Sequence, residues 1–214
     1  MTPRGYDQLA RFYRLVEFLA FGRALERARY HHLERLRASR RILLLGDGDG
    51  RVLARICRIA PHAQIDSLDF SAGMIARASR RLAPADRARV TFREADALTA
   101  DYSANTYDAV TTLFFLDGFS GEQVRALLAR LHPALTPGAV WLFADFVLPP
   151  RGWARMRARV LLTLMFAFFR WQTGLMIRKL PPSEALMEST GFIRDAEASW
   201  QGGFIRSSVF RARP

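Results

Sequence analysis

The stretch RILLLGDGDGRVLARI, residues 41–56, restricts the fold more than any other part of the chain. An apolar run from Ile42 to Leu45 breaks at Gly46, Gly48 and Gly50, and helical spacing of apolar residues resumes at Val52, Leu53 and Ile56. This pattern predicts a buried strand, a tight turn and a helix. Glycine lets the backbone take positive φ and lets a ligand come close, and the helix N-terminus that follows favours negative charge. In open α/β sheets, ligands bind outside the carboxyl ends of the strands, where such a turn lies.

The rest of the chain continues the alternation. Gln64 to Asp69 reads as a second strand, with Ser71 able to cap a helix over 72–82. Val90 to Phe92 is a short third strand, Tyr107 to Leu113 a fourth, and Gly121 to Leu131 a helix. LTPGAVWLFADF is a turn followed by a fifth strand, after which a long aromatic helix is expected over 153–171. PPSEALMESTGF gives another helix, with Pro182 near its start and Gly191 closing it. Ile193 to Ala198 and Phe204 to Arg211 follow without a helix between them, so they predict a hairpin added antiparallel at the sheet edge. Ahead of the first strand, apolar residues recur at helical spacing from Tyr6 to Arg37, divided at Gly22. The expected fold is α/β: a doubly wound, seven-stranded, mostly parallel sheet with an antiparallel edge hairpin and an N-terminal helical cap.

The net charge of +12 raises the question of nucleic acid. Lys179 is the one lysine, and arginines such as Arg11, Arg51, Arg80, Arg130 and Arg157 are scattered, which reads as a solvated basic surface with no binding stripe. Weak attraction to anionic lipid or acidic partners stays open. Cys57, the single cysteine, rules out a disulfide framework and is expected as a packed thiol in a reducing compartment. The opening MTPRGYDQLARFY lacks a secretory apolar core, and the run Val160 to Phe169 is too short to span a bilayer. A cytoplasmic protein is expected, and no metal.

The turn itself narrows the ligand. Its spacing is G-x-G-x-G, and the third glycine of a dinucleotide fingerprint would fall at Arg51. A phosphate-binding loop would need a lysine, and Asp47 and Asp49 would repel phosphates, so a zwitterionic or cationic ligand suits the turn better. Asp69 lies 23 residues past Gly46 at the end of the second strand, where its carboxylate suits the two hydroxyls of a ribose. A helix cap is the alternative role, which Ser71 already supplies. In READAL, Asp96 follows the third strand and suits an adenine amino group, with Ala97 offering its amide.

These runs in order, ILLLGDGDG, LDFSAGMIARASRR, VTFREADAL, YDAVTTLFFLDGF, LHPALTPGAVWLFADF and a closing GF, resemble the class I S-adenosylmethionine-dependent methyltransferases from Arg41 onward. The segments YDQLARFYRLVEFLAFGRALERAR and FFRWQTGL…LPPSEALMESTGF resemble the small-molecule branch, which includes the C-methyltransferases of ubiquinone and menaquinone synthesis. One departure is Leu44, where the family often has an acid two residues before its first glycine. The resemblance implies a Rossmann-like fold, S-adenosyl-L-methionine as cofactor and S-adenosyl-L-homocysteine as product. It places Gly46, Gly48 and Gly50 under the methionine part, whose binding leans on Asp47 or on the N-terminal helix. It also implies Asp69 on the ribose, Phe70 and Met74 near the adenine, Asp96 and Ala97 at the adenine edge, and Leu113 and Phe114 toward the sulfonium. Asp47 and Asp49 would answer the cationic sulfonium and ammonium. One domain over 1–214 is expected: a cap at 1–38, a cofactor-binding core at 39–148, acceptor-side helices at 149–190 and the hairpin at 191–214.

Methyl transfer is a direct displacement in which alignment can contribute about 7–11 kcal/mol, so a base is not compulsory. For an enol carbon or phenol the candidate bases are Asp117, His31, His32 and Tyr13; the histidines read first as helix-surface residues, and Asp117 equally suits a helix cap. The fourth strand leads into no Asn/Asp-Pro-Pro-aromatic motif and Cys57 follows no proline, which speaks against nucleic-acid substrates. A short-chain dehydrogenase fails because Leu175, not tyrosine, stands four residues before Lys179. In the long helix, Leu161, Leu164, Met165, Phe168 and Phe169 are too many for one narrow stripe. They form extra core, a homodimer face, or a lid over an apolar acceptor presented from a membrane, with Arg155, Arg157 and Arg159 at head groups. Tyr6, Tyr13, Phe115, Phe168 and Phe169 are the expected acceptor-lining residues. The expected function is C- or O-methylation of a small apolar or aromatic acceptor; the alternative is a silent cofactor-binding or partner subunit.

Overall fold

The structure, a computed structural model, describes residues 21–173 and 179–213. Seven strands form one sheet: β1 (Arg41–Leu45), β2 (Gln64–Asp69), β3 (Val90–Glu94), β4 (Tyr107–Leu113), β5 (Leu135–Phe146), β6 (Phe192–Trp200) and β7 (Ile205–Ala212). Their order is β3-β2-β1-β4-β5-β7-β6; the first five are parallel, and β7 pairs antiparallel with both β5 and β6. The helices are α1 (Ala24–Tyr30), α2 (Arg51–Ile59), α3 (Ala72–Arg81), α4 (Pro84–Arg87), α5 (Gly121–Leu131), α6 (Gly152–Thr173) and α7 (Ser183–Ser189).

β1 is central because its RILLL is buried from Ile42 to Leu45 on both faces, the pattern of a parallel strand covered on each side. Alternate residues feed two apolar layers. Ile42 and Leu44 join Val52, Leu53 and Ile56 of α2 and Leu25 of α1, while Leu43 and Leu45 join Val124, Leu127 and Leu128 of α5. Each such burial contributes about 1.5–3 kcal/mol. Leu44, where the family often has an acid, is 1% exposed and belongs to the first layer. β2 reads QIDSLD, yet Asp66 is buried because Arg41 donates to both its oxygens (3.1 and 3.0 Å) and the Tyr107 hydroxyl donates at 2.7 Å.

Several boundaries differ from the sequence expectation for identifiable reasons. The turn expected at Pro137–Gly138 is absorbed into β5 as an irregularity, where pairing shifts from Tyr107↔Leu135 to Ala109↔Val140 and Gly138 takes φ +74. α4 has no apolar periodicity to announce it and rests on Pro84 at its first turn. Ahead of β1, Gly22 at φ +56 precedes α1, and Leu33–Leu36 form a 3-10 turn; residues 6–20 of the expected helical stretch lie outside the described residues. Cys57 is 1% exposed inside the first layer, and burial pushes its thiol up to about 11, so it packs as a core residue.

The second layer also holds the Trp141 indole N–H donating to Thr112 Oγ1 at 2.8 Å, with both residues fully buried. Thr112→Val keeps the shape and strands the indole donor. We expect it to cost about 1–3 kcal/mol in urea unfolding; an unchanged midpoint would show that this hydrogen bond contributes nothing.

Candidate active site

The three glycines of the turn after β1 serve different ends. Gly46 (φ +67) runs so close to Phe115 that a Cβ would sit 2.2 Å from the ring, and at Gly50 (φ +83) a Cβ would sit 2.5 Å from the Ala78 Cα of α3. Gly48 (φ +67) faces open space, with nothing within 4 Å of a Cβ. Two glycines therefore let the backbone pack closely, and the middle one leaves a cradle at the carboxyl end of β1.

Asp69 fixes the cradle. Its Oδ2 accepts from Gly48 N at 3.3 Å and its Oδ1 from Ser71 N at 2.9 Å, so one carboxylate ties the glycine turn to the start of α3. Ser71 Oγ accepts from Met74 N at 3.3 Å and caps that helix. Beyond Asp69 the Phe70 ring is 82% exposed, and Met74 is half-buried on α3. The β3 loop approaches from the other side, with Ala95 N donating to Asp69 O at 3.1 Å. In that loop Asp96 is exposed, its Oδ1 accepting from Leu98 N at 2.9 Å, while Ala97 is buried and its carbonyl accepts from the Tyr102 hydroxyl at 2.9 Å.

The two acids within the turn part company. Asp47 turns inward, accepting from Val52 N (3.2 Å) and Leu53 N (3.0 Å) at the α2 N-terminus; burial pushes its carboxyl up to about 7 against those two hydrogen bonds. Asp49 does not face the cradle with it: Arg51 and Arg81 each hold its carboxylate at 3.0 Å. Pairing these acids as joint partners of a cation is therefore corrected, because an arginine two residues on and another on α3 claim the second one.

At the ends of β4 and β5, Leu113 is buried in the first layer, and Phe114 takes φ +58 with its N–H donating to Ala144 O at 2.6 Å. The Phe114 ring meets Phe146 edge-on at 5.3 Å and carries the Arg29 guanidinium 4.9 Å from its centroid. Phe115, expected to line the acceptor, lies against Gly46 and meets Phe119 at 5.0 Å. Ser120, with Gln123, makes a full capping box on α5, so Asp117 is not that helix's cap. Asp117 instead donates its backbone N–H to Asp145 Oδ2 at 3.0 Å, and Phe146 N donates to Asp145 Oδ1 at 2.8 Å. Burial raises both carboxyls, Asp117 to about 6 and Asp145 well above the usual range, with the charge of Asp117 adding to the second shift.

His31 is exposed and meets Trp200 edge-on at 5.3 Å, and His32 is lowered by burial and by His31, so both pack beside β6 and β7. Tyr6 and Tyr13, and the side chains of Phe168 and Phe169, lie outside the described residues. The sequence reading missed Asp145 and Arg29. Asp145 was visible as the lone acid in the apolar run of β5; Arg29, whose charge acts on Asp47 and Asp117, was hidden among 32 basic residues.

Asp47 makes the ligand-free fold pH-sensitive with a definite sign. An unfolded aspartate titrates near about 3.9, and the folded one at about 7, so the stability it contributes is full below the lower value and declines as pH rises through the upper one. The melting temperature of the parent relative to Asp47→Asn should therefore fall across that window and level off above it. A difference independent of pH would remove the raised carboxyl.

Known proteins place this geometry. Residues 42–138 match the family model described as a methyltransferase domain. The demethylmenaquinone methyltransferase of Thermus thermophilus is 35% identical over 153 residues, covering 71% of this chain and 65% of that protein. The ubiquinone/menaquinone biosynthesis C-methyltransferase UbiE of Desulfotalea psychrophila is 26% identical over 170 residues, 79% of this chain and 63% of that protein. The chain thus spans slightly under two thirds of the length of these relatives. Among solved structures, the N-methyltransferase NodS of Bradyrhizobium japonicum in complex with S-adenosyl-L-homocysteine shares the fold, with a TM-score of 0.61 at 17% identity over 89% of this chain and 88% of that one. The matched residues hold the strand–glycine turn–helix unit of the β3-β2-β1-β4-β5-β7-β6 sheet, and through them the chain is similar to the S-adenosylmethionine-dependent methyltransferases.

Proposed function

We propose that this chain transfers a methyl group from S-adenosyl-L-methionine to carbon or oxygen of a small apolar or aromatic acceptor. The observation that carries the reading is the open space over Gly48 beside the Asp69 carboxylate, at the carboxyl ends of β1 and β2. Each Asp69 oxygen spends one lone pair on a backbone amide and keeps another for a ribose hydroxyl. The exposed Phe70 ring gives an adenine an apolar face, Asp96 keeps an oxygen for its amino group and Ala97 offers its amide. Gly46, Gly48 and Gly50 let the chain run beneath the methionine end, near Asp47. These residues fit the group.

Bound there, S-adenosyl-L-methionine supplies an electrophilic methyl on a sulfonium. Leu113 and Phe114 wall the place where it would be presented, and their apolar surfaces exclude water from it. Asp117, raised to about 6 by burial, is the group to receive the proton that an enol carbon or phenol releases, and Asp145 accepts the backbone N–H that holds it in place. Tyr6, Tyr13, Phe168 and Phe169 are the apolar acceptor lining in this reading. The demethylmenaquinone and ubiquinone/menaquinone names of the relatives support an acceptor of aromatic character.

Calorimetry should show S-adenosyl-L-homocysteine binding, weakened at least about tenfold by Asp69→Ala, since a charge-assisted bond contributes about 1.5–3 kcal/mol. Gly48→Ala should weaken binding with a small loss of stability, whereas Gly50→Ala, which meets the α3 backbone, should mainly lower the melting temperature. Equal affinity in Asp69→Ala would remove the ribose assignment.

Incubated with labelled cofactor and a cell extract, the protein should move label into an organic-soluble small molecule. Label only in RNA or protein would overturn the acceptor class, and no label anywhere would favour a silent subunit. For an acceptor that loses a proton, Asp117→Asn should lower kcat about a hundredfold or more at unchanged cofactor affinity. The parent's kcat should rise with pH through about 6. A parental rate in the variant would remove the base.

A further inference from the structure

Helix α6 (Gly152–Thr173) is apolar on two opposite sides. Ala158 and Leu162 are buried, and Leu161 and Met165 pack on the first layer of the core. On the other side Trp153, Met156, Val160 and Leu164 are 74%, 51%, 55% and 63% exposed. Spacings of three and four residues put these four on one stripe, turned away from the sheet. Helical geometry sets the exposed Arg157 along one margin of that stripe and the exposed Arg159 along the other. Between Asp145 and Glu184 the sequence has no acid and seven cations.

The Arg157 margin continues into a groove of about 590 Å³ where α6 meets the start of α1 and the β6–β7 turn. Phe21, Arg23, Arg27, Trp200 and Gln201 line it with Arg157, whose guanidinium donates to Gln201 Oε1. Aromatic rings and three arginines thus stand beside an exposed aliphatic stripe. Monomeric proteins rarely leave such apolar surface uncovered.

We propose that this face of α6 docks on an anionic lipid bilayer, with the stripe Trp153, Met156, Val160 and Leu164 entering the acyl boundary and Arg157, Arg159, Arg23 and Arg27 meeting head-group phosphates. The charge pattern selects this occupant. A second copy packed on the same face by two-fold symmetry would bring arginine margins together with no acid to offset them. A nucleic acid would leave four exposed apolar side chains without a partner. An interfacial helix carries the arrangement seen here, apolar residues flanked by arginine. Among the described residues no helix is long and apolar enough to cross a membrane, so the contact lies along the surface. α6 follows β5, so the docked face lies at the same end of the sheet as the cradle, and a lipid-soluble acceptor could enter from the bilayer.

The test uses the full chain with vesicles alone, without acceptor or cofactor, so it stands or falls apart from methyl transfer. In flotation, the protein should bind phosphatidylcholine vesicles containing one-third phosphatidylglycerol, and bind pure phosphatidylcholine at least about tenfold more weakly, with arginine near an anionic surface counting about fivefold each. Val160→Asp with Leu164→Asp, and separately Arg157→Glu with Arg159→Glu, should each reduce binding to anionic vesicles at least about tenfold at an unchanged melting temperature. Leu164→Gln, a milder change at an exposed position, should weaken it in the same direction and covers the case in which the double aspartate variant misfolds. Failure of the parent to float with anionic vesicles, or parental binding in the arginine variant, would overturn the proposal. So would a lipid-free dimer in sedimentation that Leu164→Gln dissociates, because the stripe would then belong to a second copy.

Discussion

The Asp69 carboxylate is the joint on which the rest of the site turns. Its oxygens reach Gly48 N and Ser71 N, so the loop after β1 and the helix after β2 are held by one side chain. Neither backbone amide has a strand or helix partner of its own at that point, and an unpaired buried amide is costly. The glycine turn keeps its shape because an acid stands where β2 ends and accepts from both amides. The residue that shapes the cradle is also the one left facing into it.

Acids elsewhere around the cradle are set by their surroundings. Asp47 is bound to the first amides of α2, Asp49 is neutralised by two arginines, and Asp117 and Asp145 share a pocket that raises both. Arg29, resting on the Phe114 ring, acts on Asp47 and Asp117 together. A cation brought near Asp47 or Asp117 would favour its ionised form.

What the sequence made legible was local. The run Ile42–Leu45, the Ser71 cap, the fourth strand Tyr107–Leu113 and the helix Gly121–Leu131 follow from periodicity and capping chemistry carried by neighbouring residues. Partnerships between distant residues were not legible. Nothing near Asp49 announces Arg81, 32 positions on, and nothing near Asp117 announces Asp145. The long helix was read as apolar in excess of one stripe, and the structure divides that excess between a core side and an exposed side. Leu164 falls on the exposed side, 63% exposed, while Ala158, Leu161, Leu162 and Met165 fill the core side.

The position of β7 sets the order in which the sheet can be finished. β1 to β5 are made one after another, but the free side of β5 is covered only by residues 205–212, some sixty positions after β5 ends. A chain growing from its N-terminus therefore carries five assembled strands with an open edge while α6, α7 and β6 are still being made. Unpaired edges invite pairing with other chains, and the edge here carries Trp141, Leu142 and Phe143. Whatever occupies α6 during that interval, the sheet passes through a stage in which its middle is its most vulnerable part, and the latest strand made is the one that closes it.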